Sequence, residues 1–241
     1  MAKNGIKIIK AESPGQGFEI CRSLLYESVT KKTVLFLSGG STPKGLYELL
    51  AKEKKLKPGA AAIVDERYFP MSNIKNQRQD LEGSNEKMIR DAGLIGHIEN
   101  SARFYPVLKD KSLEQTVKDY DETVRFLLSH FPKSIGILGI GPDGHTAGLP
   151  PGISNFKFSI FNGTDLVAGI DNFPGEFKRR ITLTFSGLSK LDEIIVLAFG
   201  EKKKEALEQM LRGGSEKDIP ARFYLRPEIA TKTVLITDQK L

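Results

Sequence analysis

The stretch SIGILGIGPDGHTAGLPPG, residues 134–152, runs from an apolar segment directly into a glycine-rich turn. Its first half predicts a β-strand over Ile135–Ile140. Gly139, Gly141 and Gly144 match the dinucleotide fingerprint G-x-G-x-x-G letter for letter. In open α/β sheets ligands bind beyond the carboxyl ends of the strands, so this loop is a candidate site whatever its ligand is.

The fingerprint is nevertheless a poor match in its context. A dinucleotide needs a helix directly after the last glycine, so that its pyrophosphate meets the helix N-terminus. The two glycines and two prolines in residues 148–152 leave room for a single turn at most. Asp143 would also place a negative charge where two phosphates should lie. We therefore interpret the segment as a tight loop that presents Asp143 and His145 above the sheet.

Short apolar β-rich runs alternate with longer helical patterns along the rest of the chain. Predicted strands are Ile6–Ile9, Thr33–Leu37, Ala61–Val64, Arg103–Tyr105, Ile135–Ile140, Leu166–Ile170, Ile181–Leu183, Ile194–Phe199 and Thr233–Ile236. Predicted helices include Pro43–Ala51, Leu113–Leu128 and Lys202–Leu211. This alternation predicts a Rossmann-like α/β fold, with a mainly parallel sheet and helices on both faces. Because no linker rich in proline, glycine or serine divides the chain, we expect one domain over residues 1–241.

Composition and charge exclude several classes of protein. The apolar runs are too short to span a bilayer, the N-terminus has no apolar signal core, and the single Cys21 cannot form an internal disulfide. We therefore expect a cytoplasmic protein without a membrane partner. The net charge of +6 comes with lysine runs that contain glutamate and lack aromatics, so we expect no nucleic-acid partner. A positive field would favour a small anionic substrate.

The segment SGGSTP, residues 38–43, follows the predicted strand Thr33–Leu37. Its glycines let the backbone come close to a ligand, Ser41 or Thr42 can cap the next helix, and Pro43 suits the first turn. Because a helix start points free N–H groups at its ligand, we predict a phosphate site here. The predicted phosphate-binding residues are Gly39, Gly40, Ser41 and Thr42. The alternative is an ordinary tight turn with a good cap.

Three adjacent charges, Asp65-Glu66-Arg67, follow the predicted strand Ala61–Val64. Such a cluster is costly to hold unless its members pair or act. Arg67 can bind a phosphate through two parallel hydrogen bonds, and Asp65 can orient a base or a substrate hydroxyl. The alternative is a solvated loop start, and these residues alone do not decide between the two.

A histidine side chain can act as a general base near neutral pH, and His145 is the candidate here. A histidine packed against its own loop is the alternative, but the position after a strand, beside Asp143, favours catalysis. Arg180 opens a predicted strand and Lys203 begins a predicted helix; both are either surface charges or the remainder of a cationic phosphate pocket. No set of His, Cys, Asp and Glu has metal-ligand spacing, so we predict no metal.

Taken together, these segments resemble the 6-phosphogluconolactonase family, whose relatives include the glucosamine-6-phosphate isomerases/deaminases. The matching segments are SGGSTP (38–43), DERYFP (65–70) with Ser84-Asn85, GIGPDGHTAGLPPG (139–152), RITLT (180–184), GEKKKEAL (200–207) and Ile219-Pro220-Ala221. They occur in the family's order over nearly the full chain. The resemblance implies a Rossmann-like fold and the hydrolysis of 6-phosphoglucono-lactone to 6-phosphogluconate in the pentose phosphate pathway, without metal or coenzyme.

The resemblance also assigns residues. The family's catalytic histidine falls on His145, and its phosphate-binding positions fall on the loop of residues 39–42, Arg67 and Lys203, with Arg180 as an addition. The partner is then a small sugar-phosphate lactone, and we expect a monomer or a homodimer.

Two further features bear on which reaction is catalysed. The deaminases typically carry a tyrosine where Arg67 stands and a glutamate in the histidine loop, which residues 145–150 lack, so the pattern favours a lactonase. Lactonases, however, usually carry a serine where Gly148 stands and a phenylalanine where Pro150 stands. Either the loop that carries His145 is looser here, or a different lactone fits.

Two other functions stay open at this point. An aldose–ketose isomerase or deaminase would use Asp65 to shuttle a proton between C1 and C2, with His145 helping to open the ring. A sugar-phosphate sensor would bind 6-phosphogluconate and turn nothing over. The combination of Asp65, Arg67, His145 and Lys203 argues against a sensor, which has no need of a base.

Overall fold

The computed structural model describes residues 2–3, 5–69, 82–152 and 163–241. Its elements up to the middle of the chain are β1 (Ala2–Lys3), β2 (Ile6–Lys10), α1 (Pro14–Ser28), β3 (Thr33–Leu37), α2 (Ser41–Glu53), β4 (Ala60–Ile63), β5 (Asp65–Arg67), α3 (Asn85–Asp91), α4 (Leu94–Glu99), β6 (Arg103–Tyr105), α5 (Leu113–His130) and β7 (Lys133–Gly139). The later ones are β8 (Val167–Ile170), β9 (Arg180–Leu183), α6 (Phe185–Ser189), β10 (Glu193–Ala198), a 3₁₀ turn (Glu201–Lys203), α7 (Lys204–Leu211), a second 3₁₀ turn (Pro220–Leu225), α8 (Pro227–Ala230) and β11 (Thr233–Thr237).

Eight of the described strands form one sheet in the order β1-β2-β11-β10-β7-β3-β4-β6. Every neighbouring pair is parallel except β1 with β2. From β3 the chain proceeds outwards to β4 and β6, then returns to β7 and proceeds the other way to β10 and β11. The strand order therefore reverses between β3 and β7, which is where open α/β sheets bind ligands.

Burial confirms the predicted α/β fold with its mainly parallel sheet. All five residues of β3 and all four of β4 are buried, as in strands that are covered on both faces. The predicted strands are found within one or two residues of their expected ends. Cys21 is fully buried in the core, as expected. Among the described residues, no helix is both long enough and apolar enough to cross a membrane.

The segment Asp65–Arg67 corrects the sequence analysis, which placed it in a loop. It forms β5, which pairs antiparallel with β9, and β8 completes a second, three-stranded sheet. The change of sheet takes place at Val64, whose N–H donates to Leu37 O (2.9 Å) while its carbonyl accepts from Leu183 N (2.9 Å). The three charges are therefore held on a buried strand rather than in a solvated loop.

The predicted helix starts also need correction. Helix α2 begins at Ser41, and Gly40 is its N-cap, with φ +96° and no side-chain cap hydrogen bond. Ser41 and Thr42 therefore lie in the first turn and do not cap the helix, because the glycine turn already directs the chain into it. Lys203 lies in the 3₁₀ turn that precedes α7, one residue before the α-helix itself.

Candidate functional site

A cavity of about 250 Å³ lies at the reversal point of the sheet. It is lined by Ser38, Gly39, Gly40, Ser41, Thr42, Pro43, Asp65, Arg67, Asn85, Gly139, Ile140, Gly141, His145, Ala147, Arg180 and Lys203. Every predicted site residue except Asp143 is on this wall. Asp143 lies behind His145 and contacts it directly. The structure thus brings together residues from six separate segments of the sequence.

The His145 side chain is oriented by Asp143. His145 Nδ1 is 2.5 Å from Asp143 Oδ1, which also accepts the backbone N–H of His145 at 3.1 Å. Burial acts to raise the pKa of Asp143, but its hydrogen bonds and charge interaction with His145 outweigh this and lower that pKa. Within the described residues Nε2 has no hydrogen-bond partner. A carboxylate on Nδ1–H leaves Nε2 as the basic nitrogen.

The loop that follows β7 is fixed at several points. Thr146 Oγ1 donates to Gly139 O at 3.0 Å and is hydrogen-bonded to the buried Tyr224 hydroxyl. The backbone N–H of Gly148 donates to Thr182 Oγ1 at 2.9 Å. No helix follows in residues 145–152, so the fingerprint does not build a dinucleotide site here. These hydrogen bonds join the loop to β7, to β9 and to the second 3₁₀ turn.

The packing around Gly148 accounts for the absence of a serine at this position. A Cβ at this position would lie 2.8 Å from Thr182 Cβ, 3.2 Å from Thr182 Oγ1 and 3.4 Å from Arg180 Cβ. The backbone of the loop therefore packs directly on β9, which leaves no space for a side chain. The packing of the loop on β9 therefore requires glycine at position 148.

Replacing Gly148 with serine should therefore destabilise the protein by about 1–3 kcal/mol, the usual cost of overpacking. Urea unfolding of the wild type and the variant measures this cost. Gly96→Ser is the matched control, because a side chain there would meet no atom within 4 Å. Equal stability of Gly148→Ser and the wild type would show that the loop can move away from β9.

Asp65 and Arg180 form a buried ion pair at the floor of the cavity. Arg180 Nη1 is 3.5 Å from Asp65 Oδ2, and the two side chains are 12% and 7% exposed. Burial raises the pKa of Asp65, although Arg180, Arg67 and His145 act against it. Burial likewise lowers the pKa of Arg180. Paired ionisable groups with shifted pKa values in a cleft are typical of functional sites.

The phosphate-binding prediction has a consistent geometry. Helix α2 has 13 residues, and its first turn opens onto the cavity with its free N–H groups. A side chain at Gly40 would meet no atom within 4 Å, so this backbone borders open space. Lys203 also lines the cavity, and burial lowers its pKa. Among the described residues Lys203 makes no ion pair.

Arg67 is held from two sides. Its Nη1 donates a hydrogen bond to Gly83 O, and its guanidinium lies 5.0 Å from the centre of the Phe177 ring.

Phe173, from the same β8–β9 loop as Phe177, lies 4.2 Å from the Arg180 guanidinium and packs edge-on against His145, with ring centres 5.4 Å apart. Sequence reasoning missed both phenylalanines, because no motif or spacing marks them.

Glu66 is a third residue, after the two phenylalanines, to which the sequence analysis assigned no role of its own. It is fully buried, and its carboxylate accepts hydrogen bonds from Arg67 N (2.7 Å), Ser84 Oγ (2.9 Å), Asn85 N (2.8 Å) and Glu86 N (2.8 Å). It therefore joins β5 to the start of α3. Burial raises the pKa of Glu66 to about 7, and the donated hydrogen bonds oppose the rise. The alternation of side chains along a strand could have indicated this role. If Asp65–Arg67 is a strand, the Glu66 side chain lies on the opposite face from those of Asp65 and Arg67.

At about pH 4, where the carboxyl is protonated, Glu66→Gln should destabilise the protein by about 1–3 kcal/mol, because the amide nitrogen cannot accept the hydrogen bonds that the hydroxyl oxygen of the carboxyl still accepts. With a folded pKa of about 7, the stabilising contribution of Glu66 is complete below its unfolded pKa of about 4.3. That contribution is lost as pH rises through 7. The stability difference between wild type and variant should therefore shrink from about pH 5 to about pH 9. Urea unfolding across this range tests it, and a difference that grows with pH would contradict it.

Metal ligation has no obvious candidate in the described part of the chain. There, no group of three or more His, Cys, Asp and Glu side chains comes together in a way that could hold a metal ion.

Comparison with known proteins identifies the family. A profile of the family described as "Glucosamine-6-phosphate isomerases/6-phosphogluconolactonase" matches residues 20–234. The chain belongs to this family. It is 33% identical over 211 residues to a 6-phosphogluconolactonase of Xylella fastidiosa, covering 83% of this chain and 81% of the relative. It is also 28% identical over 226 residues to a glucosamine-6-phosphate deaminase of Streptococcus equi subsp. equi, covering 90% and 91%.

A solved structure supports the same assignment. The 6-phosphogluconolactonase of Thermotoga maritima superimposes with a TM-score of 0.72 at 26% identity, over 96% of this chain and 98% of that one. The family resemblance seen in the sequence motifs is thus confirmed. Because lactonases and deaminases both belong to this glucosamine-6-phosphate isomerase/6-phosphogluconolactonase family, the choice between the two reactions depends on the site.

Proposed function

We propose that this family member hydrolyses 6-phospho-D-glucono-1,5-lactone to 6-phospho-D-gluconate, a step of the pentose phosphate pathway. One observation carries the proposal: His145, oriented by Asp143, shares a single cavity with a helix N-terminus and the cations Arg67, Arg180 and Lys203. Such a cavity can hold the phosphate at one end and present a carbonyl to a base at the other.

The phosphate is the anchor of the substrate. It docks on the N–H groups of residues 39–42, where the partial positive charge of α2 favours an anion. Arg67 and Lys203 neutralise its charge, and Arg180 lies next to them on the wall of the cavity. Because the substrate is held at this end, its lactone carbonyl can be placed beside His145 in a reactive geometry.

His145 supplies the chemistry. Nε2 takes a proton from a water molecule as the water oxygen bonds to the lactone carbonyl carbon. The carbonyl π electrons move onto oxygen and return as the bond from carbon to the ring oxygen breaks. The protonated His145 then gives its proton to the departing ring oxygen, which becomes a hydroxyl of 6-phosphogluconate. Asp143 holds the imidazole throughout, and Asp65 orients a sugar hydroxyl or the base.

The alternative is isomerisation of an amino-sugar phosphate. Asp65, buried and with a raised pKa, has the properties of a base that shuttles a proton, and the streptococcal relatives are deaminases. Two features favour hydrolysis. Arg67 fills the position at which a deaminase typically carries a tyrosine, and residues 145–152 contain no glutamate to assist the histidine.

Product identity decides between these reactions. The protein is incubated separately with two compounds: 6-phosphoglucono-lactone that has been freshly made by oxidation of glucose-6-phosphate, and glucosamine-6-phosphate. The products are identified by NMR. We expect accelerated formation of 6-phosphogluconate from the first and no ammonia or ketose phosphate from the second. Ammonia and a ketose phosphate would establish the isomerase reaction, and tight binding of 6-phosphogluconate without turnover would establish a sensor.

We also propose the conditions under which the enzyme works. It acts in the cytoplasm on a free sugar-phosphate lactone, without metal or coenzyme, as a monomer or a homodimer. The lining of the cavity offers N–H groups, cations, Asp65 and one histidine, and Asp143 behind His145 completes the set of groups that the mechanism uses. Turnover that is unchanged after exhaustive treatment with EDTA, together with the mass in solution from light scattering, tests the metal and oligomer statements.

A further inference from the structure

Asn85 lies at the junction between the two halves of the cavity. It is the first residue of α3 and is 2% exposed. It lines the cavity between β5 and the loop of residues 39–42, which we call the phosphate loop. The mechanism above uses its neighbours on both sides but not Asn85 itself.

The amide of Asn85 is fixed by the Asp65 residue. Its Nδ2 donates to Asp65 O at 2.6 Å and to Asp65 Oδ2 at 3.2 Å. Because both partners are acceptors, the NH₂ group must face them and Oδ1 must point the other way. Oδ1 is buried and has no hydrogen-bond partner among the described residues.

The opposite side of the same amide packs on the phosphate loop. A Cβ at Gly39 would lie 2.0 Å from Asn85 Oδ1, 2.1 Å from its Cγ and 2.7 Å from its Cβ. Gly39 does not have a positive φ, unlike Gly40, so its backbone conformation is open to any residue. The contact with Asn85, rather than backbone strain, is therefore what requires glycine at position 39.

The backbone of Asn85 is held as firmly as its side chain. Its N–H donates to Glu66 Oε1 at 2.8 Å, and Glu66 also accepts from Ser84 and Glu86. Asn85 thus has little freedom to retreat if either side moves.

We propose that Asn85 is a positioning residue that sets the phosphate loop and the Asp65 carboxylate at a fixed distance from each other. The inference rests on the proposed function. Through Nδ2 it orients Asp65, and through its packing on Gly39 it determines where the loop can hold the phosphate. A substrate whose phosphate is anchored on the loop then meets Asp65 in one orientation.

A double-mutant cycle between positions 39 and 85 tests the coupling. Gly39→Ala should raise KM for the lactone and Kd for inorganic phosphate at least about tenfold, since the new Cβ displaces the loop. In an Asn85→Gly background the same change should cost less than about threefold, because all three atoms that the Cβ meets are gone. Equal costs in the two backgrounds would overturn the proposal.

Asn85→Asp separates the two contacts. It keeps the shape that packs on Gly39 but replaces the Nδ2 donor by a carboxylate oxygen, so kcat should fall about 10- to 100-fold. The new negative charge beside the phosphate site should raise KM as well, because like charges repel. Gly39→Ala should remain as damaging in this background as in the wild type. A rise in KM with unchanged kcat would contradict the assigned role toward Asp65.

The controls and readouts keep the outcomes distinct. Gly96→Ala and Asn100→Ala change the same residue types at exposed positions and should leave KM, kcat and Kd unchanged. Urea unfolding shows whether each variant folds; if Asn85→Gly does not, Asn85→Asp still tests the kcat effect. If the wild type fails to hydrolyse the lactone, the proposed function falls, while phosphate binding across the cycle still tests the contact between Gly39 and Asn85.

Discussion

Replacing His145 with alanine is expected to lower kcat for lactone hydrolysis by about 10²–10⁴-fold, the usual contribution of a positioned general base. The side chain is 30% exposed and its Nδ1 partner Asp143 remains able to reach water, so stability should change little. KM should also change little, because the phosphate anchor lies at the other end of the cavity. Steady-state kinetics and urea unfolding of the same preparation measure both effects.

Two further variants make this result specific to His145. His130→Ala removes an exposed histidine at the end of α5, which packs on Phe126 and Phe131 and does not line the cavity, so it should retain wild-type kinetics. Asp143→Asn keeps the shape but cannot accept from Nδ1–H as strongly, so we expect a smaller fall in kcat than for His145→Ala. A near-normal kcat in His145→Ala would show that another group activates the water.

Replacing Arg67 with alanine is expected to act on binding instead. Two charge-assisted hydrogen bonds to phosphate would be lost, each worth about 1.5–3 kcal/mol and together about 3–6 kcal/mol, so KM should rise about 10²- to 10⁴-fold. The kcat at saturation should fall much less, because Arg67 does not contact the reacting carbonyl in the proposed mechanism. Initial rates over a wide range of lactone concentrations separate the two constants.

Arg67→Lys and Arg212→Ala are the matched variants. Lysine keeps the charge but loses the planar fork, so KM should lie between those of the wild type and Arg67→Ala. Arg212 is 74% exposed, pairs with Glu208 on α7 and does not line the cavity, so its removal should leave both constants unchanged. A fall in kcat without a rise in KM for Arg67→Ala would place Arg67 at the reacting end of the substrate.

The main sheet could be predicted because its strands have strong local signals. Thr33–Leu37 is apolar throughout and is buried throughout, as a central parallel strand must be. The second sheet could not be predicted in the same way. The sequence of β5 consists only of charged residues, and its partner β9 lies more than a hundred positions later in the chain. Only the tertiary pairing makes Asp65–Arg67 a strand.

The candidate site likewise has one part that local sequence signals indicate and another part that only tertiary contacts reveal. The cavity loops could be located because each follows a predicted strand and carries glycine, histidine or a cluster of charges. Phe173 acts through contacts that join distant segments, so no spacing in the sequence indicates it. Ser84-Asn85 matches the family pattern, but only the structure shows that Asn85 contacts Asp65. Gly148 shows the reverse case: the sequence marks the departure from the family, but only the structure shows that the backbone packs on Thr182 with no space for a side chain.

Proton release from freshly generated 6-phosphoglucono-δ-lactone, followed at constant pH for wild type and His145→Ala side by side, tests the central claim most directly. The account predicts hydrolysis far above the spontaneous rate in the wild type, and a return to nearly that rate in the folded variant. No acceleration in the wild type would contradict the lactonase assignment. Equal acceleration in both proteins would contradict the role of His145.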